Sequence, residues 1–308
     1  MEIALQFVLL ALGFVMLAKG ADWFVEGTAG IAMRFGIPQL VIGLTIVAMG
    51  TSAPEAAVSI AAAVKGNADI TIGNIVGSNI LNILVILGLA ASIVPIAVAR
   101  STVRIEIPFM IGVTALLFYQ GRDGSISLAD GGVLMVAFAA YMMYLYTMAM
   151  KSNVDSDLEE PGLPLGRCLL GAVGGLALII AGSNVTVGAA TSIATYAGLS
   201  ERFIGLTIVA LGTSLPELFT SVAAARRGNA DIAIGNIVGS NIFNILFVVG
   251  LSSLIIDIPF ASAFNFDTYV ALGAAVLLWL CVLRTQRLQR WAGALMLVCY
   301  AAYLGYIL

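Results

Sequence analysis

Histidine is absent from this chain, cysteine occurs only three times, and charged residues make up just 10% of its 308 residues. Without histidine, the chain has no imidazole metal ligands and lacks the usual proton-relay residue of membrane proteins. The cysteines Cys168, Cys281 and Cys299 lie in apolar runs without CxxC spacing, which predicts a packing role. Because a soluble domain carries about a quarter charged residues, the low charge excludes most enzyme architectures, and no nucleic-acid partner is expected.

Apolar residues supply 61% of the sequence, and the mean hydropathy of +1.06 indicates that lipid is the solvent of this chain. A membrane-spanning helix needs about 20 apolar residues, so the length accommodates about ten spans and no sizeable soluble domain. We therefore predict an all-α integral membrane protein. Its ten transmembrane helices are expected near residues 3–25, 38–63, 70–94, 104–121, 127–150, 164–188, 201–225, 232–256, 266–283 and 289–307. The first run follows Met1-Glu2 without a basic segment or a cleavage site, which predicts a span and not a signal peptide.

The chain contains two copies of one unit. Residues 36–89 align without a gap on residues 198–251 at a constant offset of 162, and 36 of the 54 positions are identical, which excludes chance similarity. The predicted layout has a first five-helix repeat at 1–150, a hydrophilic linker at 151–163 and a second five-helix repeat at 164–308. Because five spans is an odd number, the second repeat begins on the opposite side of the membrane, and the repeats are predicted to be inverted.

Basic residues predict the orientation, since cytoplasmic connections carry an excess of Lys and Arg. With both termini outside, only Lys65, Arg122 and Arg202 fall on the outer side, and Lys19 lies within the first span. The other basic residues lie on cytoplasmic connections: Arg34, Arg100, Arg104, Lys151, Arg167, Arg226, Arg227, Arg284, Arg287 and Arg290. We expect a protein of the cell (inner) membrane with a cytoplasmic linker. The linker sequence KSNVDSDLEEPG favours a solvated connection; a regulatory or metal-sensing loop is the alternative.

Two acidic residues, Glu55 and Glu217, lie far inside apolar runs, where a carboxylate costs about 2.5–3.5 kcal/mol on insertion scales. Each ends a G-T-S-x-P-E stretch at the same position of its repeat. Proline removes a helical hydrogen bond and glycine permits local unwinding, so we predict that helices 2 and 7 are broken. The expected helix-breaking residues are Gly50, Pro54, Gly212 and Pro216. The breaks are expected to free the two glycine carbonyls. Two protonated glutamates that only join helices are the structural alternative.

A second motif, G-N-I-V-G-S-N-I-x-N, occupies residues 73–82 and 235–244. Its glycines are four residues apart, which favours close helix packing. Serine and asparagine side chains in the motif also lie four apart and share one helix face: Ser78, Asn82, Ser240 and Asn244. Carboxylate, hydroxyl, amide and carbonyl oxygens suit Na⁺ or Ca²⁺, whereas the ligands that zinc and copper favour are missing. We therefore expect Glu55 and Glu217 to bind a metal cation at mid-membrane; interhelical hydrogen bonding alone is the alternative for the serines and asparagines.

Polar GNAD segments at residues 66–69 and 228–231 are predicted to be turns. Asp69 and Asp231 are expected to cap the helices that follow. A surface metal site is the alternative for these segments.

These repeats resemble the α-repeats of the Ca²⁺/cation antiporter superfamily, and most closely those of the prokaryotic sodium/calcium exchangers. The resemblance rests on the doubled GTSxPE and GSNxxN motifs and covers nearly the whole chain. It implies ten helices, with the second, third, seventh and eighth around a central site where Glu55 and Glu217 hold Ca²⁺ or share Na⁺. The other implied site residues are Thr51 and Thr213, a sodium group of Ala48, Ser52 and Ser240, a second sodium group of Ala210, Ser214 and Ser78, and the central Asn82 and Asn244.

Asn244 departs from relatives such as the potassium-dependent branch, which have an aspartate at this position. With Asn82 and Asn244 both neutral, the resemblance implies exchange without potassium. Two glutamates neutralise one Ca²⁺, whereas three Na⁺, the number that the family implies, leave the site with one positive charge. That charge is worth about 2.3 kcal/mol per 100 mV. The resemblance also implies that the first and sixth helices slide against a fixed core.

The predicted function is secondary-active exchange of Na⁺ for Ca²⁺ by a monomer in membrane lipid, without a cofactor. A Ca²⁺/H⁺ antiporter that uses the same glutamates is the first alternative. A cation channel is the second, because oxygen-lined constrictions also conduct ions. An enzyme is not expected, since there is no histidine, no nucleophile–base pair and no GxSxG sequence.

Overall fold

The structure, a computed structural model, describes residues 2–66, 68–152, 163–198 and 210–307. Its regular structure is almost entirely helical, as predicted. In chain order the helices are α1 (Glu2–Phe35), α2 (Gln39–Ile42), α3 (Ala48–Thr51), α4 (Ala53–Val64), α5 (Asp69–Leu81), α6 (Gly88–Ile93), α7 (Ile107–Gln120), α8 (Leu128–Ser152), α9 (Leu165–Tyr196), α10 (Ala210–Thr213), α11 (Leu215–Arg226), α12 (Ala230–Phe243), α13 (Gly250–Ile255), α14 (Ala263–Leu283) and α15 (Arg290–Ile307). Wider π-helical turns at Gly43–Val47, Asn82–Leu87, Thr102–Glu106 and Asn244–Val249 continue several of these helices, and a 3-10 turn spans Gly121–Asp123.

Eight helical segments in the described part of the chain are long and apolar enough to cross a membrane. They are Ile3–Phe35, Ile70–Ile93, Thr102–Asp123, Leu128–Lys151, Leu165–Tyr196, Ala230–Ile255, Ala263–Leu283 and Arg290–Ile307. A ninth candidate is the pair Gln39–Thr51 and Ala53–Val64, which bends by 51° at its break. The chain is therefore a helical membrane protein with multiple spans. The span predicted near 201–225 begins with residues 201–209, which lie outside the described residues.

Two spans form the centre of the molecule. In the most apolar stretch of Ala230–Ile255, 94% of the residues are buried, and in that of Ile70–Ile93 the share is 78%. The same share is only 17% in Ile3–Phe35, Leu128–Lys151 and Arg290–Ile307. A helix that is apolar all round and buried belongs to a core, whereas the outer helices expose apolar side chains to lipid. The polar residues of the central helices are therefore enclosed by protein.

Two short strand pairs join the halves of the chain. The strands are β1 (Ile96–Ala97), β2 (Ser125–Ile126), β3 (Ile258–Pro259) and β4 (Arg287–Leu288). Strand β1 pairs antiparallel with β4, and β2 pairs antiparallel with β3. Each pair takes one strand from the first sequence repeat and one from the second, so the repeats are tied together at two places.

Helices α1 and α9 pack backbone against backbone. A Cβ added at Gly20 would lie 2.9 Å from the Gly175 carbonyl oxygen, and one at Gly175 would lie 2.5 Å from the Phe24 nitrogen. A Cβ at Gly182 would lie 3.0 Å from the Gly13 carbonyl oxygen. Only glycine fits at such separations, and small residues let helices in lipid approach closely without a hydrophobic driving force. The long first helix of each repeat therefore belongs to one tightly packed pair.

The glycines of both GNAD segments have the conformation of a turn, although Asn67 of the first segment lies outside the described residues, and the capping prediction is wrong. Gly66 and Gly228 have φ of +79° and +80°, a conformation that glycine adopts without steric cost. Helix α12 begins one residue before Asp231, after Asn229, and no side chain caps it. Helix α5 begins at Asp69 itself, so this residue is not in the capping position either. Asp231 lies in the first turn of α12, where its charge interacts favourably with the helix N-terminus.

The three cysteines have the environment expected of packing residues. Cys168 is buried, and Cys281 and Cys299 are partly buried; all three are free thiols. Of the predicted linker, residues 153–162 lie outside the described part of the chain.

Candidate functional site

Each predicted broken helix is interrupted at the serine of its GTSxPE motif. Ser52 separates α3 from α4 with φ −81° and ψ 6°, and Ser214 separates α10 from α11 with φ −89° and ψ 4°. These angles lie in the bridge region between the α and β conformations. The proline of each motif falls in the first turn of the next helix, where its missing N–H removes no helical hydrogen bond. The motif therefore starts a new helix, with Glu55 or Glu217 in its first turn.

The two glutamates are held by serines of the opposite motif. Ser52 Oγ donates to Glu217 Oε1 at 2.8 Å, and Ser214 Oγ donates to Glu55 Oε1 at 3.3 Å. Each glutamate is only 1% exposed, so neither points into lipid. The crossed hydrogen bonds bring both carboxylates to one place, although they are 162 positions apart in the sequence.

Four buried asparagines form a closed network on the neighbouring helices. Asn82 Nδ2 donates to Asn241 Oδ1 at 2.9 Å, and Asn244 Nδ2 donates to Asn79 Oδ1 at 3.1 Å. Asn79 Nδ2 donates to the Asn241 carbonyl oxygen at 3.2 Å, and Asn241 Nδ2 donates to the Asn79 carbonyl oxygen at 3.1 Å. The network uses the amide nitrogens of Asn82 and Asn244 and leaves their amide oxygens available.

Four buried oxygens of these residues have no hydrogen-bond partner among the described residues. They are Glu55 Oε2, Glu217 Oε2, Asn82 Oδ1 and Asn244 Oδ1. Unpaired buried acceptors are rare in folded proteins and costly, and most of all for a carboxylate. The ion pairs that the described residues form all involve Arg227 on Asp22 and Glu26, so neither glutamate is neutralised by a basic side chain there. The oxygens and the charge match what a hard cation requires.

Two of these residues lie near the middle of their candidate membrane spans. Asn82 is near the midpoint of the span Ile70–Ile93, and Asn244 is near the midpoint of Ala230–Ile255. Each asparagine begins a π-helical turn, and such turns occur frequently at functional sites. The turn Asn82–Leu87 contacts α11, and the turn Asn244–Val249 contacts α4, so each asparagine helix packs against a glutamate helix.

The residues of the first predicted sodium group lie together. The Ala48 carbonyl oxygen accepts from Ser240 Oγ at 3.3 Å and from the Ser52 N–H at 3.0 Å. Next to it, Thr51 Oγ1 donates to Asn236 Oδ1 at 3.0 Å. The structure therefore brings Ala48, Ser52 and Ser240 together, and their role as a sodium group stays a prediction.

The second predicted sodium group is described only in part. Of its members, Ser78 and Ser214 are buried. The Ala210 side chain lies outside the described residues. The structure therefore leaves the assembly of this group as a prediction.

The carbonyl of Gly212 is paired and not free. Ser183 Oγ of α9 donates to it at 2.7 Å. The position 162 residues before Ser183 is Ala21, which has no hydroxyl. The two repeats therefore differ at this contact, and the helix break of the second repeat is fastened to α9.

Four asparagines near the glutamates are absent from the residues predicted from sequence: Asn79 and Asn241 of the network, and Asn74 and Asn236 outside it. Asn74 Nδ2 donates to Ser59 Oγ, and Asn236 Nδ2 donates to Ser221 Oγ, both at 2.9 Å. The same nitrogens reach the carbonyl oxygens of Glu55 at 3.3 Å and Glu217 at 3.4 Å. Their signal in the sequence is a polar residue at the same position of both copies of the apolar G-N-I-V-G-S-N segment.

Close glycine packing is confirmed in the second repeat. A Cβ at Gly235 would lie 3.1 Å from the Gly43 Cα, and one at Gly239 would lie 2.7 Å from the Leu44 carbonyl oxygen. For Gly73 and Gly77, the partner segment at the same offset is 205–210, most of which lies outside the described residues.

Comparison with known proteins extends these observations. The family described as "Sodium/calcium exchanger protein" matches residues 5–147 and 168–308. The putative antiporter CaxA of Alkalimonas amylolytica is 40% identical, and the sodium/calcium exchanger MaX1 of Methanosarcina acetivorans is 33% identical; each alignment covers 98% of both chains. A solved structure of the sodium-calcium exchanger NCX_Mj, soaked with zero Na⁺ and Ca²⁺, matches with a TM-score of 0.87 and 33% identity over 99% of this chain and 100% of that chain. The similarity therefore extends over both halves of the chain, including the segments that carry Glu55 and Glu217.

Proposed function

Because the chain belongs to the sodium/calcium exchanger protein family, we propose that it is a secondary-active antiporter that exchanges Na⁺ for Ca²⁺ across the membrane. Both ions are substrates, and no cofactor takes part. One observation carries this proposal: four buried oxygens, on Glu55, Glu217, Asn82 and Asn244, have no hydrogen-bond partner among the described residues, and both asparagines lie near the middle of their candidate spans. Hard cations take carboxylate, amide and hydroxyl oxygens of this kind.

In the proposed site, Glu55 and Glu217 hold Ca²⁺ between α4 and α11, and Asn82 and Asn244 add amide oxygens. Sodium ions share the glutamates with two flanking groups, one of Ala48, Ser52 and Ser240 and the other of Ala210, Ser214 and Ser78, with Thr51 and Thr213 completing the shell. The serine–glutamate contacts support this arrangement, because a hydroxyl that donates to a carboxylate keeps lone pairs for a cation.

The asparagine network has a positioning role in this proposal. An amide can present either oxygen or nitrogen, and only the oxygen binds a cation. Asn241 accepts from the Asn82 nitrogen, and Asn79 accepts from the Asn244 nitrogen. These contacts turn both amide oxygens away from the helix–helix contact and make them available to the ion.

Charge sets the proposed stoichiometry. Two ionised glutamates neutralise one Ca²⁺, whereas three Na⁺ leave one net positive charge on the loaded site. A 3:1 exchange is therefore electrogenic, and the moved charge is worth about 2.3 kcal/mol per 100 mV. With neutral Asn82 and Asn244, the site has no third carboxylate for an additional K⁺, so exchange is independent of potassium.

The proposed topology has ten spans in two inverted five-helix repeats, with both termini outside and the linker in the cytoplasm. The contacts that pair first-repeat residues with second-repeat residues support it: Ser52 with Glu217, Asn82 with Asn241, and β1 with β4. Each of these contacts has a counterpart with the repeats exchanged: Ser214 with Glu55, Asn244 with Asn79, and β3 with β2. The basic residues on the predicted cytoplasmic connections support the orientation.

Alternating access is proposed to come from the α1–α9 pair. The glycines at Gly20 and Gly175 pack these helices so closely that they move as one body. Movement of this pair past the glutamates opens the site to one side at a time while the central spans stay in place. A chain of this kind needs no second subunit, so we propose a monomer.

The test is Na⁺-driven Ca²⁺ transport in proteoliposomes. An outward Na⁺ gradient at clamped pH should drive uptake of radioactive Ca²⁺, and removal of the gradient should stop it. Glu55→Gln and Glu217→Gln should each lower uptake at least about a hundredfold, since an uncompensated loss at a buried charged site costs about 3–5 kcal/mol. Glu26→Gln is the matched control, because Glu26 is exposed and its ion pair among the described residues is with Arg227.

Three results would contradict the proposal. Wild-type Ca²⁺ uptake by a folded Glu55→Gln variant would remove the central site. Uptake that follows a proton gradient and ignores Na⁺ would favour a Ca²⁺/H⁺ antiporter on the same glutamates. Unitary currents without a counter-ion would identify a channel.

A further inference from the structure

A cavity of about 160 Å³ lies between α8 and the π-helical turn that precedes α7, away from the ion site. It is lined by Ile105, Glu106, Phe109, Ala140, Tyr141 and Tyr144. Ile105 and Ala140 are exposed on the outside of the helices, whereas Glu106 and Tyr141 are buried at the bottom. In a membrane-spanning segment, the exposed rim faces lipid, so the cavity is reached from the bilayer.

Buried polar atoms at this cavity have no partner. Glu106 Oε2, Tyr141 Oη and the nearby Thr102 Oγ1 make no hydrogen bond to any described residue. The other carboxyl oxygen, Glu106 Oε1, accepts from the Tyr144 hydroxyl. The ion pairs between described residues involve only Arg227, so no basic side chain there neutralises Glu106. A carboxyl group buried in a membrane span at such cost indicates a function, and here it lacks a donor that a ligand can supply.

The walls of the cavity favour an ammonium group. The rings of Phe109 and Tyr141 stack at a centroid distance of 5.3 Å, and those of Tyr141 and Tyr144 stack at 6.5 Å. Aromatic rings beside a carboxylate attract ammonium ions. Calcium would need about six to eight oxygen ligands, which Glu106 and two tyrosines do not provide. A primary ammonium has three N–H donors, which suit Glu106 Oε2 and the Tyr141 hydroxyl.

The position of the cavity indicates where the ammonium comes from. Glu106 lies shortly after the start of the span Thr102–Asp123, and Tyr144 lies shortly before the end of Leu128–Lys151. Both residues are therefore within about 6–10 Å of the same membrane face. Exposed basic residues at this end, which attract lipid phosphates, are Arg100, Arg104 and Lys151. We propose that the cavity binds the primary ammonium of an aminophospholipid headgroup, with Glu106 as the counter-ion.

The second repeat contains a related pair of a carboxyl group and a tyrosine. The Tyr303 hydroxyl donates to Asp267 Oδ1 at 2.8 Å, so carboxyl and tyrosine meet there as well. Asp267 is only half-buried, and neither side chain of this pair has a buried atom without a partner among the described residues. Asp267 therefore provides a matched control for Glu106.

Native mass spectrometry of the intact protein tests the proposal. The protein is released from detergent with phosphatidylethanolamine, with phosphatidylcholine, whose quaternary ammonium has no N–H, or with phosphatidylglycerol, which has no ammonium. We expect the protein to retain phosphatidylethanolamine about tenfold better than either of the other two lipids, because one additional charge-assisted hydrogen bond produces a preference of this size. Glu106→Gln should abolish the preference and Asp267→Asn should retain it. Tyr141→Phe, which keeps the ring and loses the hydroxyl, should reduce the preference. If Glu106→Gln does not fold, this variant tests the ammonium site in its place.

Competition with ethylammonium distinguishes a site that binds a lipid headgroup from one that binds a free ammonium ion. Displacement of phosphatidylethanolamine by excess ethylammonium from the wild type, and not from Glu106→Gln, supports an ammonium site filled by lipid. Ethylammonium binding without any preference among the three lipids would overturn the lipid source. Equal retention of the three lipids with no ethylammonium binding, or an unchanged preference in folded Glu106→Gln or Tyr141→Phe, would overturn the site itself.

Discussion

Asn244→Asp tests the charge balance of the proposed site. Asn244 is buried at half depth, and its amide oxygen has no partner among the described residues, so an aspartate there would add a third carboxylate beside the ion. In the wild type, the proposed Ca²⁺-loaded site is neutral and the site with three Na⁺ carries one positive charge. In the variant, the Ca²⁺-loaded site carries one negative charge and the Na⁺-loaded site is neutral. The membrane potential should therefore act on the opposite half of the cycle.

The expected magnitude follows from the charge that crosses the membrane. One elementary charge moved through the full potential is worth about 2.3 kcal/mol per 100 mV. Because 1.4 kcal/mol corresponds to a factor of about ten, the ratio of outward-facing to inward-facing Ca²⁺-loaded protein should change by up to about 40-fold per 100 mV. In the wild type, this ratio should not respond to the potential.

Exchange of Ca²⁺ for Ca²⁺ isolates this half of the cycle. Proteoliposomes clamped with K⁺ and valinomycin are loaded with Ca²⁺, and uptake of radioactive Ca²⁺ is measured at several potentials. Asn82→Asp, at the same position of the first repeat, should give the same voltage dependence as Asn244→Asp. The measurement is repeated at alkaline pH, because a protonated aspartic acid would be neutral like asparagine. Voltage-dependent Ca²⁺ exchange in the wild type, or none in both variants at every pH, would refute the charge assignment.

Two further predictions concern the contacts of α9. Gly175→Ala should lower the free energy of unfolding in detergent by about 1–3 kcal/mol, since the new Cβ would lie 2.5 Å from the Phe24 nitrogen. The neighbouring Gly174 has open space around it, so Gly174→Ala should be neutral or stabilising by up to about 1 kcal/mol. Equal effects of the two substitutions would contradict the close α1–α9 packing. Ser183→Ala should lower the free energy of unfolding by about 1–3 kcal/mol, because it leaves the buried Gly212 carbonyl without its hydrogen-bond donor. Ser192 is exposed and bonded within its own helix, so Ser192→Ala should change the free energy of unfolding by no more than about 0.5 kcal/mol. Equal melting curves for the two serine variants would show that the Ser183 contact does not fasten the helix break.

Local sequence rules predicted the parts of the site that depend on neighbouring residues. Proline and glycine around Glu55 and Glu217 predicted breaks, and the structure places them at Ser52 and Ser214. Burial of both carboxylates followed from the apolar residues around them. The opposed serine–glutamate contacts, in contrast, depend on how two distant helices cross, and no local pattern of one motif contains that information. The duplication predicted that the motifs would meet, but not which atoms would touch.

The asparagine network shows a second limit of sequence reasoning. Asn79 lies three residues before Asn82, and the sequence singled out only the latter as a site residue. The role of Asn79 follows only from its contact with Asn244 of the other repeat, because the hydrogen-bond partner of an amide decides which way the amide oxygen points. Glu106 shows a different limit. The predicted span began at residue 104 and placed this acid at the membrane edge, whereas the helix in the structure continues from Thr102 and buries it.

In the proposed cycle, the buried charges of Glu55 and Glu217 also account for strict coupling. With no ion bound, Glu55 and Glu217 are two buried carboxylates without a basic partner among the described residues. The effective cost of one such charge in a protein interior is several kcal/mol, and every 1.4 kcal/mol lowers a population about tenfold. Movement of the α1–α9 pair past an empty site would have to enclose both charges, so the empty protein rarely changes its facing state. In the proposed cycle, binding of either Ca²⁺ or Na⁺ removes that cost, and because no lysine or arginine among the described residues neutralises the glutamates, the bound ion is what permits the movement.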